Sequence, residues 1–235
     1  MKKIIHITSD EKFINSALKQ FKLLTNNSEF YILSNKRLDE LTHIGNYPNV
    51  STIKPNRIEL VKLAKNINNS IVCFHGVFYK SSILINLINI NQKNTLIWFV
   101  WGAEFYFNNK IYKNGLSHFL GPISKQIEVK INKESIVQKL KKSVLTNLSN
   151  LYNLELFPNK AALKAFRKID IISILYIEEK ELIETKVNKK FKFLKFSYYP
   201  LEYMLNSLEE RVEGCDILVG NSASPTNNHL EVFSL

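Results

Sequence analysis

The residues of this sequence best suited to chemistry follow two short apolar runs. His75 follows Ser70–Phe74, and Glu104 comes shortly after Thr95–Trp101. An imidazole exchanges protons near neutral pH, and a carboxylate can act as a base or orient a hydroxyl group. His75 and Glu104 are therefore the candidate catalytic residues. Two alternatives stay open, since His75 also suits a structural histidine and Glu104 a first-turn helix acid.

Three neighbouring residues are candidates for contact with a ligand. Gly76 and Gly102 stand at the ends of the same apolar runs, where the lip of a binding site is expected. Trp101 lies nearest the end of its run, so it is a better candidate for ligand contact than Trp98. Both tryptophans also suit a hydrophobic core.

A third candidate site is a loop near the end of the sequence. The apolar run Cys215–Val219 leads into GNSASPTNNH at residues 220–229, and a helix start is expected near Asn227. Loop N–H groups and a helix N-terminus together can bind an anion such as phosphate. An ordinary turn with a helix N-cap is the alternative. The candidate residues are Gly220, Asn221, Ser222, Asn227 and His229.

Short apolar runs alternate with helical stripes along most of the chain. Strands are predicted at Lys3–Thr8, Glu29–Ser34, Val50–Ile53, Ser70–Phe74, Thr95–Trp101, Ile169–Leu175, Phe191–Phe196 and Cys215–Val219. Helices are predicted after a capping box at Thr8 and Glu11, and at Ile58–Ile67, Ser81–Ile90 and Glu178–Thr185. The pattern is typical of an α/β fold, a Rossmann-like parallel sheet with helices on both faces. Ligands of such sheets bind beyond the carboxyl ends of the strands.

The positive charge is concentrated in one part of the chain. The net charge is +11, and residues 115–168 supply +7 of it through ten Lys or Arg residues against three acids. Apolar residues from Ile136 to Leu151 recur at helical spacing around Lys139, Lys141 and Lys142, which predicts a basic amphipathic helix. That helix suits either a solvated face or a surface resting on anionic lipid. No nucleic-acid recognition motif accompanies the charge, so no nucleic-acid partner is expected.

Cysteine usage and hydropathy bound the cellular location. Cys73 and Cys215 lie far apart in apolar runs, which predicts buried free thiols in a reducing compartment and no metal site. The N-terminus becomes polar by Asp10, too early for a signal peptide, and no apolar run approaches about 18 residues. We expect a cytoplasmic protein, at most peripheral on the inner face of the plasma membrane.

Three motifs in this order resemble one bacterial enzyme family. They are CFHGVF at 73–78, WFVWGAEFY at 98–106 and ILVGNSASPTNNH at 217–229. They are similar to strings of the 4-acetamido-4,6-dideoxygalactose transferases, the TDP-N-acetylfucosamine:lipid II N-acetylfucosaminyltransferases. The sequence departs from the family pattern at Val77, Glu104 and Asn228, where the family has Gln, Asp and Glu.

The resemblance implies a GT-B glycosyltransferase built from two facing Rossmann-like domains. Such an enzyme would move an N-acetylated deoxyamino sugar from a dTDP-sugar to a polyprenyl-diphosphate-linked saccharide, in surface polysaccharide or glycolipid synthesis, without a metal or another cofactor. Trp101 is then the candidate for stacking on the sugar. Residues 220–229 are the candidates for contact with the donor diphosphate.

The resemblance also implies a division of the chain. Residues 1–212 would form the N-terminal acceptor-side domain with a basic helical insertion at about 108–168, and residues 213–235 would begin a donor-binding domain. Most of that second domain is expected to be missing, so this chain alone should be inactive. A non-catalytic domain or a lipid-surface binding module is the alternative.

Overall fold

Seven parallel strands form one sheet in this computed structural model, which describes residues 2–76, 79–88, 93–106, 121–131 and 163–199. The strands are β1 (Ile4–Thr8), β2 (Ser28–Leu33), β3 (Val50–Ile53), β4 (Ile71–His75), β5 (Thr95–Phe99), β6 (Ile171–Ile174) and β7 (Lys192–Lys195). Their order across the sheet is β3-β2-β1-β4-β5-β6-β7, and every neighbouring pair is parallel. The predicted Rossmann-like α/β class is confirmed. The order reverses between β1 and β4, which is the usual place for a ligand crevice in such sheets.

Helices fill the connections between the strands. They are α1 (Ile14–Leu24), a 3₁₀ turn (Leu38–Glu40), α2 (Arg57–Asn66), α3 (Tyr79–Ile88), α4 (Ala103–Tyr106), α5 (Pro122–Ile131) and α6 (Ile177–Val187). Parallel strands cannot be joined by tight hairpins, so each needs a crossover of this kind. The crossovers therefore place the carboxyl ends of all seven strands at one edge.

One face of the sheet packs against α1. His6 of β1 lies in register with Cys73 of β4, and Phe99 of β5 lies in register with His75 on one side and Ser173 on the other. Residues paired in this way point to the same face. The buried cluster on this face includes Ile14, Ala17, Leu18, Phe21, Phe30, Ile32, Val50, Cys73, Ile97 and Phe99.

The start of α1 differs from the prediction. The helix begins at Ile14, its N-cap is Phe13, and no side chain caps it. The hydroxyl of Thr8 instead donates to the carbonyl of Ser9 at 3.1 Å. The capping box predicted at Thr8 and Glu11 is therefore wrong, because Thr8 is still the last residue of β1.

The chain falls into two compact units. The first comprises Met1–Glu104 with Phe157–Asn206 and holds the sheet, and the second comprises Phe105–Leu156 with Ser207–Leu235. In the described part of the second unit, the Lys125 N–H donates to the Gly121 carbonyl at 3.0 Å near the start of α5. The domain division at residues 212 and 213 stays a prediction. No helix within the described ranges is long and apolar enough to cross a membrane.

Several predicted features lie outside the described residues. They are the strand Cys215–Val219, most of the basic insertion with Lys139, Lys141 and Lys142, and the candidate binding residues Gly220, Asn221, Ser222, Asn227 and His229.

Candidate functional site

A line of four hydrogen-bonded side chains runs from β1 to the segment after β7. His6 Nδ1 lies 2.9 Å from His75 Nε2, and His75 Nδ1 lies 2.5 Å from the Tyr198 hydroxyl. The Trp101 Nε1–H donates to the same hydroxyl oxygen at 2.9 Å. Both imidazoles are fully buried. Two predicted site residues, His75 and Trp101, thus meet on one tyrosine.

Burial keeps this line of side chains uncharged near neutral pH. Desolvation, helped by the adjacent His75, holds the pKa of His6 well below its usual value. Desolvation also lowers the pKa of His75 to about 3. Burial raises the pKa of Tyr198 well above 10, although the hydrogen bond from Trp101 acts in the opposite direction. His75 is therefore a weak base, suited to hydrogen bonding more than to proton abstraction.

The two neutral imidazoles allow two arrangements of protons, because each has one donor and one acceptor nitrogen. In one, Tyr198 donates to His75, which donates to His6. In the other, both bonds reverse, and Tyr198 keeps its own proton for a further acceptor. His6 Nε2 has no hydrogen-bond partner among the described residues. A buried lone pair is left unpaired more readily than a buried N–H, which favours the second arrangement.

Tyr198 is fixed from its backbone as well. Its carbonyl accepts hydrogen bonds from the Ser16 hydroxyl and from Gln20 Nε2 of α1. Two residues earlier, Phe196 packs edge-on against Phe99 with ring centroids 4.9 Å apart. The segment after β7 is thereby held against α1 and the end of β5.

Glu104 lies at the start of α4 and binds residues of β5 and the turn that follows it. Its Oε1 accepts from Trp98 Nε1 and from the Trp101 N–H, both at 3.0 Å. An acid in the first helical turn that reaches back three residues is one half of a capping box. This geometry matches the structural alternative for Glu104.

The two tryptophans occupy different environments. Trp98 is fully buried and packs against Phe166, with ring centroids 4.6 Å apart. Trp101 is half-buried, and its ring meets that of Phe13 edge-on at 4.8 Å. Only Trp101 has surface that a ligand could reach.

Both predicted glycines adopt conformations that other residues avoid. Gly76 has φ 70° directly beyond β4, and Gly102 has φ 94° three residues beyond β5. The Gly76 N–H donates to the Phe99 carbonyl at 2.8 Å, which extends the pairing of β4 with β5. Their conformation alone therefore accounts for glycine at these two positions.

A cavity of about 280 Å³ opens at the carboxyl ends of β5, β6 and β7. We call it the strand-end cavity. It lies just below the usual range of about 300 to 1,000 Å³ for ligand pockets, so it suits a ligand of one or two rings. Its wall includes Phe13, Trp101, Ser173, Tyr176, Glu179 and Tyr198. A smaller cavity of about 200 Å³, beside the start of β2, holds none of the candidate residues.

Ser173 is a buried residue that lines the strand-end cavity. The residue is 3% exposed, and its Oγ has no hydrogen-bond partner among the described residues. Buried hydroxyls are nearly always paired in folded proteins, so such a group calls for a ligand or an ordered water. No motif marks Ser173 in the sequence, because it reads as one polar residue inside a buried strand.

The mouth of the cavity is unusually apolar. Leu175, Tyr176 and Tyr199 line the cavity and are 45%, 67% and 49% exposed. Apolar surface collected around a concavity is typical of a binding site, whereas single exposed apolar residues are ordinary.

The first strand–helix turn, where Rossmann folds hold dinucleotides, is built differently here. Residues 9–13, SDEKF, contain none of the glycines that let a pyrophosphate approach the backbone. Asp10 instead accepts the N–H groups of Thr42, His43 and Ile44, at 2.6, 3.0 and 3.1 Å. A carboxylate of the chain itself thus lies in this turn, which does not fit a dinucleotide phosphate.

Comparison with known proteins identifies no family for this chain. No protein-family model matches it, and no curated protein matches it. A similar solved structure is a wide-type short-chain dehydrogenase/reductase from Veillonella parvula DSM 2008 in complex with NADP. That chain is 12% identical, with 74% of this chain and 70% of that chain covered and a TM-score of 0.34. At that similarity the likeness carries no argument about activity or ligand.

The predicted N-acetylfucosaminyltransferase family and its glycosyltransferase activity are wrong by these comparisons. The three motifs match no family model and no curated relative. The predicted partners are therefore also wrong. They are the dTDP-sugar and the polyprenyl-linked acceptor, which were inferred from that family, and the anionic membrane surface, which was inferred from the basic segment. The motifs misled because two of them mark strand ends, where apolar runs, glycines and aromatic residues recur in any sheet of this kind.

Proposed function

We propose that this chain is the small-molecule-binding domain of a Rossmann-type enzyme, and that its ligand lies in the strand-end cavity. The observation that carries the proposal is the Ser173 hydroxyl, buried and without a partner among the described residues in the wall of that cavity. A ligand atom at this position would complete its hydrogen bonding. The cavity lies at the carboxyl edge of the parallel sheet, where such folds bind ligands, but beside β5, β6 and β7 and not at the reversal between β1 and β4.

The predicted site residues take positioning roles in this proposal. His75 fixes the ring of Tyr198 through its hydroxyl, and Glu104 fixes the backbone of Trp101. Tyr198 and Trp101 both line the cavity, so the two buried groups act through them. A wall held in one geometry before binding costs less ordering entropy when the ligand arrives.

Fragment screening by crystal soaking and by NMR on the full chain tests the binding step. Bound fragments should contact Trp101 and Ser173. Ser173→Val should weaken fragments that hydrogen-bond this position by about fivefold to tenfold, since one neutral hydrogen bond contributes about 1 kcal/mol. Ser51→Val, at an exposed position of β3, is the matched control. Fragments that bind only elsewhere would contradict the proposal.

Untargeted mass spectrometry tests the enzymatic step. A metabolite mixture incubated with the chain should lose one compound and gain another, and Trp101→Ala should abolish the change. If a ligand binds in the cavity and no compound is converted, the enzymatic part of the proposal is wrong and the binding part stands.

A further inference from the structure

The line of His6, His75 and Tyr198 carries one proton more than its own hydrogen bonds can use. Near neutral pH the two imidazoles and the phenol are uncharged, so each ring carries one N–H or O–H proton. Two links join the rings, one from His6 Nδ1 to His75 Nε2 and one from His75 Nδ1 to the Tyr198 hydroxyl. Each link holds one proton. The third proton therefore lies at one end of the line, either on His6 Nε2 or on the Tyr198 hydroxyl.

The two ends of the line have different surroundings. His6 is fully buried, and its Nε2 has no hydrogen-bond partner in the described part of the chain. Its ring stacks on that of Phe30 at a centroid distance of 4.0 Å and meets that of Phe21 at 4.2 Å. A proton on this nitrogen would be a buried donor without an acceptor, which costs about 1 to 3 kcal/mol. Tyr198, in contrast, is half-buried and lines the strand-end cavity, so the third proton belongs on Tyr198.

The oxygen of Tyr198 is already used as an acceptor in this arrangement. It receives the Trp101 Nε1–H at 2.9 Å and the His75 Nδ1–H. A phenol oxygen that accepts two hydrogen bonds has only its own proton left to offer. A ligand group against this hydroxyl is therefore favoured if it accepts a hydrogen bond. A donating group would require both links to reverse, which moves the third proton to the enclosed end at His6.

Ser173 does not impose the same choice on a ligand. His75, Phe99 and Ser173 lie in register across β4, β5 and β6, so their side chains point to the same face of the sheet. A serine hydroxyl rotates and acts as a donor or as an acceptor. Ser173 can thus add affinity for either kind of ligand group, whereas Tyr198 selects between them.

We infer that the ligand of the strand-end cavity presents a hydrogen-bond acceptor, such as a carbonyl oxygen, to the Tyr198 hydroxyl. The inference rests on the proposed binding function and specifies the chemical class of its ligand. Tyr198 is then the residue that determines specificity, and the enclosed imidazoles of His75 and His6 fix the direction in which its proton points.

Long-range ¹H–¹⁵N NMR spectra of the full chain without ligand, near neutral pH, test where the protons lie. Such spectra distinguish a neutral histidine ring with its proton on Nδ1 from one with its proton on Nε2. His6 and His75 should both carry the proton on Nδ1, and the exposed His43 provides the reference for a solvated ring. A proton on Nε2 of His6 or His75 would overturn the inference and leave the proposed function intact.

NMR titration with three neutral bicyclic probes of similar size tests the ligand class. 1-Indanone has a carbonyl acceptor, indole has an N–H donor, and indane has neither. 1-Indanone should bind about fivefold more tightly than indane, since one neutral hydrogen bond contributes about 1 kcal/mol. Indole should bind no more tightly than indane. The probes should change the chemical shifts of Trp101 and Ser173.

Tyr198→Phe should remove the advantage of 1-indanone over indane. Tyr47→Phe, at the smaller cavity beside β2, is the matched control and should keep it. Equal affinity of the parent for 1-indanone and indane, tighter binding of indole than of 1-indanone, or an unchanged advantage in folded Tyr198→Phe would each overturn the inference. If no probe changes the shifts of Trp101 and Ser173, the proposed function is wrong and the inference is wrong with it.

Discussion

Tyr198 is the residue on which the candidate site converges. It receives the Trp101 N–H, lies 2.5 Å from His75, and accepts from α1 through its carbonyl. His75 in turn rests on His6, so the orientation of a cavity residue depends on two imidazoles that no ligand can reach. Removing His75 leaves His6 Nδ1 and the Tyr198 hydroxyl with fewer partners in a buried region, which is costly.

His75→Phe should make the protein less stable and less sensitive to acid. The pKa values of His6 and His75 are lowered in the folded state. As pH falls, these histidines therefore take up protons in the unfolded state before they do so in the folded state. Their full contribution to the free energy of unfolding is present above about pH 6.5 and is lost as pH falls toward 3. Between pH 6.5 and 5, each such histidine lowers the free energy of unfolding by about 2 kcal/mol. Urea unfolding at several pH values measures the loss.

At pH 7.5 the free energy of unfolding of His75→Phe should be about 1 to 3 kcal/mol lower than that of the parent. On acidification it should decrease less than that of the parent. His43→Gln, at an exposed position, is the control and should keep the parental pH dependence. Identical acid sensitivity in the parent and His75→Phe would show that His75 does not contribute.

At the scale of elements, strands were easier to predict than helix starts. The strands at Ile71–His75 and Thr95–Phe99 follow from apolar runs that a parallel sheet buries on both faces. The start of α1 could not be read in this way. Local spacing of Thr8 and Glu11 suggested a cap, whereas Thr8 remained in β1. Competition between neighbouring elements for the same residue is not visible in a local pattern.

Asp10 joins the loop after β1 to the loop after β2. Asp10→Ala leaves the N–H groups of Thr42, His43 and Ile44 without their acceptor. We expect a loss of about 1 to 3 kcal/mol and faster hydrogen exchange confined to these three amides. Asp39→Ala removes an exposed acid from the same loop and should have little effect. Unchanged exchange at residues 42–44 would contradict the role assigned to Asp10.

Glu184 links α6 to the start of β7. Burial would raise the pKa of Glu184, but hydrogen bonds from Lys180, the Phe191 N–H and Lys190 outweigh it and hold the pKa at about 2. The contribution is therefore present above the unfolded pKa of about 4.5 and disappears as pH falls toward 2. Glu184→Gln should cost about 1.5 to 3 kcal/mol at pH 7 and little near pH 2.

Denaturant unfolding at both pH values measures this difference. Glu181→Gln, an exposed position on the same helix, is the matched control. An equal loss at pH 7 and pH 2 would mean that Gln disturbs packing and that the carboxylate charge contributes nothing.

At the scale of the whole molecule, the sequence located one half of the candidate site. His75 and Trp101 were recognisable because polar or aromatic residues after apolar runs fall at one edge of a parallel sheet. Tyr198 and Ser173 were not, although Tyr198 completes the site from 123 residues beyond His75. Nothing local marks a residue whose role depends on where the chain returns. Tyr198 could be recognised only in the structure, where the segment after β7 brings it to His75 and Trp101.

β7 leaves one edge of the sheet open among the described residues. β7 lies at one edge of the sheet and has no further strand partner among the described residues. Phe193 and Leu194 at its centre are 39% and 40% exposed. An exposed apolar edge invites pairing between chains, and lysines are a common protection. Lys192 and Lys195 stand at the two ends of this strand.

Replacing these lysines should therefore produce self-association. The double variant Lys192→Thr and Lys195→Thr keeps strand propensity and removes both charges, so edges of two molecules can pair. Sedimentation velocity across a concentration series should show larger species for this variant than for the parent at the same concentration. The control exchanges Lys62 and Lys65 of α2 for Thr, which removes the same charge from an exposed helix face. If both double variants sediment like the parent, the lysines of β7 do not guard the edge. If both associate equally, net charge and not edge pairing governs the solubility of this protein.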